Sequence, residues 1–194
     1  MTVKNIWLGN KKNYEVTGDG YQPVGIVQEP KTGKSISSSD IKQRDHFFSA
    51  LYLASNAKVN PPDEDHSVRY AIGDPTEAAL ISLAQKVHID TETLDIRYHE
   101  EHQFGFDSVR KMMSSMRMRE GERFLYVKGA PSEIIAHCTQ IFDGNNIRPI
   151  TQKDTLAFQN YVENQSAQAM RNLAFAYKPI EAYQEKMSWQ EAEQ

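Results

Sequence analysis

An α+β domain built on a largely antiparallel sheet is the fold this 194-residue sequence predicts. Three observations carry that expectation. Short strand-like runs are joined by tight turns rich in Gly, Asn and Asp, as at Arg119-Glu120-Gly121-Glu122 and Asp143-Gly144-Asn145-Asn146. Helix-length segments that open on capping residues lie between these runs. The chain contains no internal repeat and no low-complexity stretch, so its length suits one domain with its own core.

Residues 3–8 and 13–17 read as two short strands around a Gly9-Asn10-Lys11-Lys12 turn. The segment from Thr17 to Ser35, rich in Gly, Pro and Ser, reads as loop with a short strand near Val24–Val27. A helix follows the serines at 37–39, with Ser39 or Asp40 as N-cap, and turns Ile41, Phe48, Leu51, Tyr52 and Ala54 toward the core. Asn60-Pro61-Pro62-Asp63-Glu64-Asp65 reads as an exposed acidic loop. A second helix opens at Asp74-Pro75-Thr76-Glu77. Asp74 can accept from orphan backbone N–H groups, and proline suits the first helical position. Its body, Ala78 to Val87, is apolar on nearly every side and should be buried.

Strands are expected at 97–106 and 109–119. The second sets Met112, Ser114, Met116 and Met118 on one face and Lys111, Met113, Ser115, Arg117 and Arg119 on the other. A hairpin then leads into strand 123–128. Pro131 opens a short helix. Thr151, with Asp154 three residues on, starts an amphipathic helix to about Met170. Leu173-Ala174-Phe175-Ala176-Tyr177 reads as a continuous apolar strand, buried on both faces.

Composition narrows the function. A net charge of −4 argues against nucleic acid as the main partner, so any basic site must be local. A lone cysteine, Cys138, leaves no intrachain disulfide and no cysteine-based zinc site. The longest apolar runs, such as Ala78 to Ala84, are too short to cross a bilayer, and no signal peptide is evident at the N-terminus. By itself the chain is expected to be soluble and monomeric.

The residues able to carry chemistry cluster between Phe104 and Cys138. Lys128 ends a strand and precedes Gly129, so its amine can project into a cleft while the glycine backbone admits a ligand closely; a lysine facing solvent is the alternative. Phe106 can stack on a base or belong to the core. Phe106 and Lys111 differ in parity, so on one regular strand they face opposite ways. They share a cleft only if the backbone bulges or turns near Asp107–Val109. Glu77, in the first turn of its helix, meets the helix dipole with or without a ligand. Arg171 precedes the last apolar strand, where it can also close a helix C-terminus.

Other signals fail. Gly18-Asp19-Gly20 lacks the third glycine of a dinucleotide site, and Lys31-Thr32-Gly33-Lys34 lacks the rest of a P-loop. In His99-Glu100-Glu101-His102 the histidines are three apart on an extended segment, which sends them to opposite faces and argues against zinc. No serine or cysteine sits in a recognisable nucleophile motif.

Taken in order, Thr17-Gly18-Asp19-Gly20-Tyr21, Gly73-Asp74-Pro75-Thr76-Glu77-Ala78-Ala79-Leu80, Phe106 to Met113, Lys128-Gly129-Ala130-Pro131 and Arg171 to Tyr177 span nearly the whole chain. Together they resemble the nucleotide-binding domain of type II P-type cation-transporting ATPases of the calcium and sodium/potassium branch, in a bacterial member. The resemblance implies a twisted antiparallel sheet with helices on both sides. It implies that Phe106 stacks on adenine, that Glu77 bonds the adenine amino group, and that Met113 lines the pocket. Lys111 then reaches base and phosphates, Lys128 and Gly129 form the back of the adenosine site, and Arg171 contacts ribose and phosphates. The family's animal calcium pumps have an arginine where this chain has Ser108; Arg110 is the candidate to compensate.

The family's Asp-Lys-Thr-Gly-Thr phosphorylation loop, its Thr-Gly-Glu loop and its membrane helices are not in this sequence, and Gly18-Asp19-Gly20 resembles the segment just after the phosphorylation loop, not the family's magnesium-binding Gly-Asp-Gly loop. Phosphoryl transfer needs a nucleophile and a metal. Residues 1–194 are therefore expected to be a single nucleotide-binding domain, a fragment of a larger membrane pump, inactive in hydrolysis alone. Its ligands would be ATP and ADP, with Mg2+ arriving as Mg-ATP in the parent enzyme. Its partners would be the phosphorylation and membrane domains of the parent chain, on the cytoplasmic side, with calcium the favoured ion. A self-sufficient nucleotide hydrolase and a protein-interaction module that keeps the fold without the nucleotide are the alternatives.

Overall fold

Backbone pairing in this protein is antiparallel throughout the described strands. The structure, a computed structural model, describes residues 1–9, 12–143, 146–181 and 187–193. The chain divides into two compact units, Met1–Leu94 and Asp95–Gln194. The α+β class expected from the hairpins and capped helices holds.

In the first unit β1 (Asn5–Trp7), β2 (Asn13–Val16) and β3 (Val27–Gln28) form a small sheet in that order. Asn10 and Lys11 of the expected first turn lie outside the described residues. The long loop before β3 is pinned where Lys86 Nζ donates to the Thr17 carbonyl at 2.9 Å. The expected single helix after the serines is two, α1 (Ser38–Gln43) and α2 (Asp45–Leu53), broken at Arg44. The N-cap is Ser37, two residues before Ser39 and three before Asp40, the two caps expected. Its hydroxyl accepts from Asp40 N–H while the Asp40 carboxylate accepts from Ser37 N–H, so Asp40 serves as the far half of a capping box.

The acidic loop is the tip of a hairpin formed by β4 (Lys58–Asn60) and β5 (Tyr70–Ile72). Asp63 organises that tip: its carboxylate accepts from the Tyr70 hydroxyl at 2.6 Å and from His66, which lowers its pKa to about 2. Helix α3 (Pro75–Lys86) starts as expected, with Asp74 Oδ1 accepting from the N–H groups of Thr76 and Glu77. Ala78 through Ala84 are all buried, and α3 packs against α2, whose Phe48 is fully buried.

The boundary between the units falls inside α4 (Thr91–Arg97), a short helix with too few apolar positions to show a period. The second unit holds β6 (His99–Asp107), β7 (Met112–Arg119), β8 (Glu122–Gly129) and β11 (Ala174–Pro179) in the order β11-β8-β7-β6. Between β8 and β11 come α5 (Pro131–His137), the hairpin β9 (Gln140–Phe142) and β10 (Ile147–Pro149), and α6 (Gln152–Ser166). Gly144 and Asn145 of the β9–β10 turn lie outside the described residues. Helix α7 (Trp189–Glu193) is the last described element.

One face of this sheet packs Met112 with Ile134 of α5, Phe158 of α6 and Ala174. Further along the same face Phe104, Met116 and Leu125 enclose Ala192 of α7. The opposite face is aromatic, with Tyr126 fully buried between Tyr98 and Tyr177 at ring distances of 6.0 and 6.3 Å. β7 is thus buried on both faces from Met112 to Arg117. Strand β11, expected to be buried on both faces, is an edge strand with only Ala174 buried.

Helix α6 ends at Ser166, four residues short of the expected end. Met170 N–H bonds Gln165 O and Ala169 N–H bonds Ser166 O, and Ala169 stands at φ 58, the left-handed C-terminal turn of a Schellman motif. Its N-terminus is the expected box of Thr151 and Asp154. Asp154 also takes two hydrogen bonds from Arg148, at 2.7 and 3.0 Å, and these, with the Thr151 hydroxyl, hold its carboxyl well below the usual carboxylate range.

Candidate functional site

A β-bulge in β6 shapes the candidate site. Phe104 pairs with Ser114 and Asp107 with Met112, so Gly105 and Phe106 together oppose the single residue Met113. The extra residue shifts the parity of the strand, and Phe106 falls on the Met113 face instead of joining Phe104 in the core. Met113 pairs with Lys128, and Lys128 with Phe175. Phe106, Met113, Lys128 and Phe175 therefore form one row across β6, β7, β8 and β11, about 4.8 Å from strand to strand. Burial separates their roles: Met113 is 1% and Lys128 7% exposed, whereas Phe106 is 67% exposed. The ring is thus no part of the core.

The backbone break expected between Phe106 and Lys111 is present twice over, as this bulge and as the turn that ends the strand. The two strands expected at 97–106 and 109–119 form a hairpin joined through Ser108–Lys111, with the second strand beginning at Met112. Asp107 builds the turn. Its Oδ1 accepts from Val109 N–H and Arg110 N–H, both at 2.9 Å, and its carbonyl accepts from Lys111 N–H at 2.7 Å. Those backbone donors, Arg110 first, hold the Asp107 carboxyl below its usual range. Lys111 closes the turn at φ 52, a left-handed conformation that costs a non-glycine residue about 1 kcal/mol. Its side chain is 57% exposed, with Nζ 3.9 Å from Glu133 Oε1 at the start of α5.

Gly129 joins the two motifs. A Cβ on it would stand 2.6 Å from the Lys111 carbonyl oxygen and 2.6 Å from Met112 Cγ. Ala130 N–H donates to the same Lys111 carbonyl at 3.0 Å. What approaches the glycine on its Cβ side is the chain's own strand β7, so this glycine lets the Lys-Gly-Ala-Pro turn and the Lys111 turn lie against each other.

Arg110, the expected substitute phosphate ligand, is occupied elsewhere. Its side chain is 8% exposed, ion-paired with Glu193 of α7, and donates to the carbonyls of Phe104 and Gly105. Arg171 is exposed in the segment between the Schellman turn and β11. Glu77 belongs to the first unit, where its Oε2 accepts from the N–H groups of Asn56 and Ala57 at 2.7 and 2.9 Å. It thus ties the segment after α2 to the start of α3. No local signal pointed to this, because the partners lie 20 and 21 positions away.

His99 and His102 stand on the same face, not on opposite ones, since a second irregularity between Glu100 and His102 places them opposite Met118 and Met116. Among the described residues no three His, Cys, Asp or Glu side chains are grouped to hold a metal ion. No described helix is long and apolar enough to cross a membrane.

Comparison with known proteins adds the family frame. The family described as P-type ATPase, cytoplasmic domain N, matches residues 43–194. A calcium-transporting ATPase of Bacillus subtilis (strain 168) is 29% identical over 183 residues, which cover 94% of this chain and 20% of that protein. Calcium-transporting ATPase 1 of Lactococcus lactis is 37% identical over 144 residues, covering 73% of this chain and 16% of that protein. The potassium-transporting ATPase alpha chain 2 of Oryctolagus cuniculus is 25% identical over 197 residues, with 97% and 17% covered. The chain spans a fifth or less of the length of these relatives.

Proposed function

The chain belongs to the P-type ATPase cytoplasmic N-domain family, and from that premise we propose that it holds an adenine nucleotide in an ATP-driven cation transporter. It then presents the γ-phosphate to a separate phosphorylation domain of the parent protein. One observation carries this reading: the bulge that lifts Phe106 out of the core and sets it, two-thirds exposed, at the end of the row through Met113 and Lys128. A strand that keeps an aromatic ring in water at the cost of a broken ladder supports a ligand for that ring. A base stacked there gains about 1–3 kcal/mol.

In this reading Met113 walls the pocket, Lys128 and the Gly129 backbone close its back, and Lys111 extends from the turn toward the phosphates. Arg171 serves ribose and phosphates. Glu77 bonds the adenine amino group with a carboxylate that also ties Asn56 and Ala57, since each carboxylate oxygen has more than one lone pair. Mg2+ enters with the nucleotide as Mg-ATP, and the carboxylates that complete its shell belong to the parent's other cytoplasmic parts. The parent is a membrane protein with calcium as its favoured ion, and this chain works on the cytoplasmic side.

Because base and ribose supply most contacts, ATP and ADP should bind this chain with similar Kd values, on the order of 0.1 to a few mM. An NMR titration measures this directly. Amide shifts should move at Gly105–Lys111 and Lys128–Ala130 for both nucleotides. Sub-micromolar affinity, strict dependence on the γ-phosphate, or unmoved amides in both segments would overturn the reading.

A further inference from the structure

Arg110 is flanked by both exposed recognition side chains, Lys111 directly after it and Phe106 four residues before, yet its own side chain turns inward. The guanidinium donates to the carbonyls of Phe104 and Gly105, at the root of the bulge. It pairs with the carboxylate of Glu193, 83 residues away, and lies 5.3 Å from the centre of the Trp189 ring. Glu193 is 4% exposed, and its Oε1 also accepts from the Ser114 hydroxyl at 2.6 Å, next to Met113 on β7. Its other oxygen, Oε2, is buried with no hydrogen-bond partner among the described residues. Two ions of opposite charge have thus been taken out of water at one point, where breaking the pair leaves a buried charge uncompensated.

A pair buried at that desolvation cost calls for a structural purpose. Arg110 sits in the turn that presents Lys111, and its guanidinium reaches the backbone of the bulge and the helix α7. α7 also packs Ala192 against Phe104 at the start of the bulge, and the ion pair extends that contact to the turn. We propose that Arg110 and Glu193 are positioning residues: the pair clamps α7 onto the bulge and turn, and so holds Phe106 and Lys111 in the geometry that receives the nucleotide. The proposal rests on the nucleotide reading above. Neither residue touches the ligand. The clamp acts by sparing the ordering cost of the turn on binding, and it makes the affinity of the site depend on whether α7 is docked.

The test uses the 194-residue chain in two variants, Glu193→Gln, which keeps the shape and removes the charge, and Trp189→Ala, which removes a partly exposed ring from the guanidinium and spares the core. Apo amide spectra should show shifts at Gly105–Lys111, distant in sequence from both substitutions. ATP affinity should fall about five- to tenfold for Glu193→Gln and about two- to threefold for Trp189→Ala. Most of the Glu193→Gln loss should disappear when it is combined with Lys111→Ala, since the lysine whose position was at stake is gone. Unmoved turn amides with unchanged affinity in folded variants would overturn the clamp while wild-type binding leaves the nucleotide reading intact. A loss of affinity fully additive with Lys111→Ala would reduce Glu193 to a stability role. Absence of wild-type binding would overturn both readings together. If Glu193→Gln does not fold, Trp189→Ala decides on the same two readouts.

Discussion

The sheet of the second unit turns twice within fifteen residues, and its two turns are built on different terms. The turn between β7 and β8 is a two-residue loop in which Arg119 pairs with Glu122 and Glu120 and Gly121 stand at φ 53 and 85. That is a type I′ hairpin, which matches the twist of its strands and has glycine at one of its two left-handed positions. The turn between β6 and β7 has four residues, no glycine, a lysine at φ 52, a bulge before it and a buried ion pair beneath it. The first turn merely reverses the chain. The second departs from local preference at three points, and all three bear on where Phe106 and Lys111 stand. Departures of this kind persist only where surrounding structure enforces them, and they concentrate at binding sites.

The largest effects should separate ring from core. Phe48→Ala, at a fully buried ring, should cost about 3–5 kcal/mol in denaturant unfolding. Phe106→Ala should cost less than about 0.5 kcal/mol and abolish detectable nucleotide binding. A Phe106→Ala chain that unfolds while binding survives in its folded fraction would return that ring to the core.

Gly129→Ala comes next. The added methyl meets the Lys111 carbonyl, which is backbone and cannot swing aside. Overpacking costs about 1–3 kcal/mol, and this position belongs at the upper end. Because the displaced group is the backbone of Lys111, nucleotide affinity should fall in the variant that still folds. Thermal unfolding with a parallel ATP titration checks both. Stability and affinity matching wild type would show that the two turns do not lean on each other.

How far these features were legible in the sequence follows the range of the interactions that make them. Asp74-Pro75 and Thr151–Asp154 announced their helices because a cap and its target lie within three residues. The break between Phe106 and Lys111 was legible from parity alone, once both were to serve one site. Its form as a bulge at Gly105–Phe106 was not, since that depends on the register against Met113. The true cap Ser37 was hidden because Ser39 and Asp40, just after it, are equally good cap residue types, and β4 and β5 were hidden by a nine-residue tip that separates two three-residue strands. The engagement of Arg110 by Glu193 and of Glu77 by Asn56 and Ala57 had no local mark at all. Arg110 accordingly read as a phosphate ligand.

The two turns can be set against each other with one substitution in each. Glycine at a left-handed position relieves about 1–2 kcal/mol of strain and gives back about 0.4–1 kcal/mol through the freer unfolded chain. Lys111→Gly and Glu120→Gly should therefore each stabilise by about 0.5–1 kcal/mol. Only Lys111→Gly should weaken ATP binding. Equal effects on affinity would remove the functional distinction between the turns.

Acid should produce the smallest effect, and it too should tell the turns apart. Asp107 caps the 108–111 turn through backbone N–H groups, and those donors lower its folded pKa relative to the unfolded chain. A carboxyl depressed in the folded state contributes stability that is present above its unfolded value, near 3.8. That contribution is lost as pH falls through the lower folded value. Above that range the turn should be pH-independent. Below it, the amides of Val109 and Arg110 should shift toward those of a weakened turn, while the amide of Gly121, in a turn held by its own backbone conformation, stays in place. In Asp107→Asn the side-chain oxygen still accepts and the charge is gone, so the acid-induced shift at Val109 and Arg110 should vanish. Val109 and Arg110 amides that titrate identically in wild type and Asp107→Asn would assign the pH response to a group other than Asp107.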